Sequence, residues 1–208
     1  MSYRLYGAHG SGASIVESVL AELGITYDYE RLDMKNHAQR EAPYASVNPH
    51  MKVPTLVTPE GETLTESAAI VITLAERHPD GGVLPPAKSP ERALALRWLL
   101  FGAAELYPIV EIIDYPERFA PEGADPAPVK AHAQSIWNER WKTVEGALGD
   151  GPYLLGETFC ATDIYLAVLS RWDLPTADAP KVERLARAVG ARPALTEIWA
   201  RNFPQRIH

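Results

Sequence analysis

Lys52-Val53-Pro54-Thr55-Leu56, followed after a turn at Pro59-Glu60-Gly61 by Leu64-Thr65-Glu66-Ser67-Ala68-Ala69-Ile70, decides the fold. The proline restricts Val53 to extended backbone. A cis Val53–Pro54 bond would turn the chain and face the Val53 N–H and C=O outward, where an extended peptide can pair with them. Thr55 to Leu64 reads as a hairpin with a short return strand. From Ser67 the residues Ala68, Ile70, Val71, Leu74 and Ala75 recur at helical spacing. Ser67 is a good N-cap, and the N–H groups behind it form an anion site. Glu66 beside it can take an ammonium. Singly, these are a strand start and a helix cap; in this order they suit a ligand carrying both an amine and a carboxylate.

Upstream, Tyr3 to Tyr6 reads as a strand, Gly7 to Gly12 as a glycine-rich loop, and Ile15, Val16, Val19, Leu20 and Leu23 as one helical face ended by Gly24. Tyr27 to Leu32 alternates like a strand. Met34 to Val47 is polar and irregular, with at most one weak helix. Strand, helix and strand followed by hairpin and helix make a small α/β unit with mixed strand directions.

Downstream, His78 to Pro90 has the proline and glycine content of a linker. Ser89-Pro90 supplies an N-cap and a proline at the first helical position. Helical periodicity follows: Glu91 to Tyr107 with a kink expected at Pro108, Val129 to Leu148, a very apolar Asp163 to Trp172, and shorter runs over 182–189 and 194–202.

The chain has 208 residues, 46% hydrophobic and 23% charged, enough for a substantial core. Net charge is −7 with no dense Lys/Arg run, so neither nucleic acid nor an anionic membrane is an expected partner. The single cysteine, Cys160, excludes an internal disulfide and any Cys-x-x-Cys redox or zinc motif. Met1-Ser2-Tyr3-Arg4 lacks the pattern of a signal peptide, and no apolar run is expected to span a bilayer. A cytoplasmic location is the expectation.

The stretch from Asn48 to Ile70 resembles the glutathione site of cytosolic glutathione transferases, and the resemblance, to bacterial serine-type members of theta- or beta-like pattern, runs across nearly the whole chain. It implies an α/β thioredoxin-like N-terminal domain over 1–79, a linker over 80–89, and an all-α C-terminal helical domain over 90–208 that contributes the electrophile pocket. It implies glutathione as co-substrate, no metal, and a homodimer.

It further implies that Val53 pairs by its backbone with the cysteinyl unit beside a cis Pro54, and that Glu66 and Ser67 hold the γ-glutamyl ammonium and carboxylate. Lys52 and His37 are candidates for the glycyl carboxylate. Ser11 is the expected thiol activator, with Ser14 second. Tyr6 is read as a packing aromatic and His9 as a solvated loop residue. Trp98, Phe101, Leu106, Tyr107, Tyr115 and Trp172 are pocket candidates, Tyr107 foremost. Thiolate is the nucleophile. Lowering a thiol pKa by two units takes about 2.7 kcal/mol. A hydroxyl donor to an anion supplies about 1.5–3 kcal/mol and a helix N-terminus about 0.3–1.

Gly156 to Ile164 resembles the family's folding motif, in which a Ser or Thr caps a buried helix and an Asp three residues later reaches back. Here the cap position is Cys160, with Thr158 or Thr162 as possible substitutes. The chain also has Val16-Glu17 where many bacterial members carry a basic residue. The implied activity is glutathione S-conjugation of apolar or aromatic electrophiles. The alternatives are a glutathione-dependent lyase, ether-cleaving or dehalogenating, and a non-catalytic member that binds glutathione or a protein. The absence of cysteine from Gly7 to Ser14 argues against glutaredoxin-type chemistry.

Overall fold

The computed structural model describes residues 2–172 and 178–204. The chain divides into two compact units: residues up to Ala87 together with those from Val189 onward, and Lys88–Ala188.

The first unit is built on a four-stranded sheet of order β2-β1-β3-β4. Strand β1 (Tyr3–Gly7) leads through helix α1 (Ala13–Glu22) to β2 (Tyr27–Arg31), which lies parallel to β1. Strand β3 (Thr55–Val57) runs antiparallel to β1, and β4 (Thr63–Leu64) returns antiparallel to β3. This is the mixed sheet that the strand and helix pattern implied, and the thioredoxin-like one that the resemblance implied. Leu5 lies opposite Leu56, and both are fully buried with Ile15, Val16, Val19 and Leu20 of α1 and Ile70, Val71 and Leu74 of α3 (Ser67–Arg77). Gly24 ends α1 as expected: at φ +66 it lets its own N–H reach Ala21 O at 3.0 Å and the Ile25 N–H reach Leu20 O at 2.9 Å, a Schellman closure. The irregular tract resolves into two 3₁₀ turns, Met34–Asn36 and Ala38–Arg40, and the short helix α2 (Ala42–Val47).

The second unit holds α4 (Pro90–Phe101), α5 (Tyr107–Asp114), α6 (Ala127–Ala147), α7 (Ala161–Ser170) and most of α8 (Pro180–Gly190). Trp137 and Trp141 of α6 are fully buried and meet edge to face, 5.5 Å between centroids. Ser89 caps α4 as expected, its hydroxyl accepting the Arg92 N–H at 3.1 Å.

The helix does not end at Pro108. Gly102–Leu106 is a π-helical turn, with the Tyr107 N–H bonded to Gly102 O. The extra residue widens the turn where a proline ring would otherwise meet the carbonyl four residues back. The result is one continuous helix, Pro90–Asp114, of 25 residues, long and apolar enough by length and composition to cross a membrane. This corrects the expectation of no such run. Core helices of globular units pass the same test, and Leu99, Leu106, Ile109 and Ile113 are buried here.

Every residue of α7 is buried, including Asp163. Its carboxylate accepts the N–H of Cys160 at 2.7 Å and of Leu154 at 2.8 Å. Cys160 completes the capping box with sulfur, a weak acceptor, over the Asp163 N–H. Thr162 instead donates to Ala95 O of α4 at 2.9 Å, tying the two helices together.

Burial, with Asp163 nearby, pushes the Cys160 thiol up to about 12. In the unfolded chain it ionises near its ordinary value of about 8.5. The folded thiol keeps its proton where the unfolded one has lost it, so rising pH favours unfolding. The stabilisation is complete below about pH 8.5 and then declines by about 1.4 kcal/mol per pH unit toward the folded value. Cys160→Ser is expected to raise stability at pH 7 by up to about 1 kcal/mol through a stronger cap, and to flatten the decline above about pH 9. Denaturant midpoints measured against pH check both, and a lower midpoint at pH 7 contradicts the expectation.

The segment after Val189 groups with the first unit, whereas the sequence division placed everything after residue 90 in one helical domain. Helical periodicity reveals an apolar face without naming what covers it. Helix α9 (Thr196–Asn202) buries Ile198 and Trp199 and packs beside α1. The Arg192 guanidinium forks onto the Glu22 carboxylate with two contacts of 2.7 Å.

Candidate functional site

Three segments of the first unit carry the candidate residues: the loop between β1 and α1, the approach to Pro54, and the start of α3. The Val53–Pro54 bond is cis. Its approach is held from behind: the Tyr44 hydroxyl and the Asn48 amide both donate to Lys52 O, at 2.5 and 2.8 Å, and both also meet the Thr55 hydroxyl, at 2.7 and 3.1 Å. The Asn48 side-chain oxygen accepts the His50 N–H at 3.0 Å. Among the described residues, neither the N–H nor the C=O of Val53 has a backbone partner. Sequence reading missed Tyr44 and Asn48. The Asn48-Pro49 turn before the motif is the signal that could have found Asn48; Tyr44 had none.

Ser67 is the first residue of α3, not its N-cap, which corrects the expected position. The N-cap place belongs to Glu66, whose side chain is exposed and makes no cap bond. Glu66 sits at φ +61, ψ 104, a conformation that a residue with a Cβ adopts at a cost of about 1–3 kcal/mol. Lys52 and His37 are exposed, and His37 takes a left-handed conformation between the two 3₁₀ turns.

In the β1–α1 loop, Ser11 is half-buried. Its oxygen accepts the Ala8 and Ala13 N–H groups at 3.3 and 3.2 Å and its hydroxyl donates to Ala8 O at 2.7 Å. Ser14 is buried at 1% exposure and donates to Asn202 Oδ1 at 2.9 Å. Ser11 is therefore the more accessible of the two. Gly7 allows the loop to leave the sheet, since a Cβ there would stand 2.2 Å from Ala13 Cβ and 2.8 Å from the Tyr29 hydroxyl. The ring of Tyr6 packs on Tyr44, 5.5 Å between centroids, as a packing aromatic should. His9 is exposed; desolvation first, then Arg31 and Arg201, pulls its pKa below the ordinary imidazole value.

Glu17, in place of a basic residue, is only 2% exposed. Its carboxylate accepts from the Tyr27 hydroxyl, the Arg201 guanidinium and the Asn202 amide. The basic partner thus comes from α9, more than 180 residues along the chain.

The pocket candidates lie in the second unit. Tyr107 and Trp172 are half-buried and pair edge to face at 4.8 Å. Trp98 is 4% exposed and packs on half-buried Phe101. Leu106 is fully buried, and Tyr115 is exposed beneath the Arg118 guanidinium. Among the described residues no group of three or more His, Cys, Asp or Glu is placed to hold a metal ion.

A family model described as the glutathione S-transferase N-terminal domain matches residues 13–77. The chain is 32% identical over 205 residues to the uncharacterized GST-like protein YncG of Escherichia coli K12, covering 96% of this chain and 98% of the relative. It is 26% identical to maleylacetoacetate isomerase of Pseudomonas aeruginosa, over 97% of both chains. A glutathione transferase homologue from Sulfitobacter, solved with bound glutathione, shares the fold at a TM-score of 0.88 and 24% identity, covering 97% of this chain and 99% of that one. By its identity to a GST-like relative over almost the entire length of both, this chain belongs to the glutathione transferase family.

Proposed function

We propose that the protein is a glutathione S-transferase that joins the glutathione thiolate to apolar or aromatic electrophiles. The observation that carries this reading is Glu66: an exposed carboxylate at φ +61, directly before the first N–H groups of α3. Carboxylate and helix N-terminus together suit the ammonium and carboxylate of a γ-glutamyl group. Val53 pairs with the cysteinyl unit through its backbone, and Lys52 or His37 meets the glycyl carboxylate. Ser11 donates to the sulfur. The thiolate attacks an electrophilic carbon; a leaving group departs with its electron pair, or the added electron pair takes a proton. The active form is a homodimer.

The match to maleylacetoacetate isomerase favours a second reading on the same site. A thiolate that adds to an activated double bond and leaves after rotation isomerises it without net conjugation.

The test is the ultraviolet difference spectrum on adding glutathione near pH 7, with calorimetric titration of Glu66→Ala alongside. A saturable thiolate band and affinity weakened about tenfold, some 1.4 kcal/mol, are expected. No band, or an unchanged dissociation constant, removes the basis of the proposal.

A further inference from the structure

Asn202 has all four hydrogen-bonding positions of its amide occupied. Oδ1 accepts the Gly10 N–H and the Ser14 hydroxyl, each at 2.9 Å. Nδ2 donates to the Glu17 carboxylate at 3.1 Å and to Ile198 O at 2.8 Å. The neighbours allow one orientation only, because the Gly10 N–H can only donate and the Ile198 carbonyl can only accept. Asn202 is 7% exposed, and Ser14 and Glu17 are at 1% and 2%. A polar group so enclosed has no water to replace a lost partner.

What this amide holds is the loop that carries Ser11. Gly10, at φ +72, precedes Ser11 directly, and Ser14 lies in the first turn of α1. The amide therefore grips the Ser11 segment on both sides, while Glu17 fixes the amide. We propose that Asn202 is a positioning residue for thiol activation: it sets the loop between β1 and α1 so that the Ser11 hydroxyl meets the glutathione sulfur. The inference rests on the glutathione transferase reading. A hydrogen bond to an anion weakens steeply with misalignment, so a loop released by a fraction of an ångström loses much of its effect on the thiol.

The experiment is a pH titration of the thiolate absorbance of bound glutathione in the unaltered protein, Asn202→Ala and Tyr27→Phe. Asn202→Ala removes no charge, so a shift in thiol pKa reports geometry. Tyr27→Phe deletes a different bond to Glu17 and leaves the loop contacts intact. Both variants are expected to melt earlier. Asn202→Ala alone is expected to raise the bound-thiol pKa by about one unit, a tenfold smaller thiolate fraction below that pKa, with a parallel fall in kcat/KM and little change in glutathione affinity. If Asn202→Ala does not fold, Asn202→Gln carries the same groups one carbon further out, and the same shift is expected. An unchanged thiol pKa, or an equal shift in Tyr27→Phe, overturns the positioning role and leaves the proposed function standing. No thiolate band in the unaltered protein overturns the functional reading and this inference with it.

Discussion

Asp163→Ala is expected to lower the unfolding free energy by about 3–5 kcal/mol. Asp163 is fully buried on a helix that is itself buried on every side. Its carboxylate takes the N–H of Cys160 at the helix start and of Leu154 in the preceding loop. Alanine leaves both donors in an apolar surround without an acceptor, at about 1–3 kcal/mol each, and opens a small void. Cys160 cannot compensate, because sulfur accepts weakly and Thr162 is committed to Ala95. Asp163→Asn is the informative companion: the Leu154 N–H meets one carboxylate oxygen and the Cys160 N–H the other, so an amide nitrogen at either place faces a donor, and a loss about half as large is expected. Equilibrium denaturation checks both. A midpoint for Asp163→Ala within about 0.5 kcal/mol of the unaltered protein would show that the loop and helix close without this carboxylate.

Ser11→Ala is expected to reduce turnover between about tenfold and a hundredfold, the worth of one hydrogen bond of 1.5–3 kcal/mol to a developing or resident anion. Glutathione affinity should change little, because the contacts proposed for the tripeptide lie mainly at the Pro54 approach and the start of α3. The Ser11 hydroxyl donates to Ala8 O. It has to turn from that carbonyl to serve a thiolate, and the charged acceptor is the stronger one. Steady-state kinetics with an aryl halide, with the thiolate band measured in parallel, separates the steps. Turnover that survives unchanged excludes Ser11 as the activator. A stability loss of about 1 kcal/mol, from the lost bonds to the Ala8 and Ala13 N–H groups, is expected in the melting curve whatever the kinetics show.

The features legible in the sequence are those whose cause is local. Gly24 announces a left-handed helix end, Ser89-Pro90 a helix start, and Val53-Pro54 an extended step before a strand, because each follows from the backbone of one or two residues. The sheet was legible because strand, helix and strand before a hairpin allow few arrangements. Choice of distant partner was not legible. Nothing near Glu17 signals that Arg201 and Asn202 close over it, and nothing near Tyr44 signals that it braces Lys52. Pro108 misled because a proline ends a helix unless the turn before it widens, and a π turn leaves no mark in apolar periodicity. Ser67 was one place off for a related reason: its neighbour Glu66 adopts a backbone conformation that propensity disfavours, and such exceptions gather where a site demands them.

The return of the chain to its first unit has a consequence for the order of synthesis. Two of the three side chains that satisfy Glu17, Arg201 and Asn202, leave the ribosome more than 180 residues after it. Until they emerge, the first unit must either hold a buried carboxylate short of partners or keep α1 loosely packed. The thioredoxin-like sheet can form while translation proceeds, but the helix behind it waits for residues more than 180 positions downstream. A polypeptide stopped before Val189 would lack the material to finish a unit whose other residues were all in place about a hundred residues earlier.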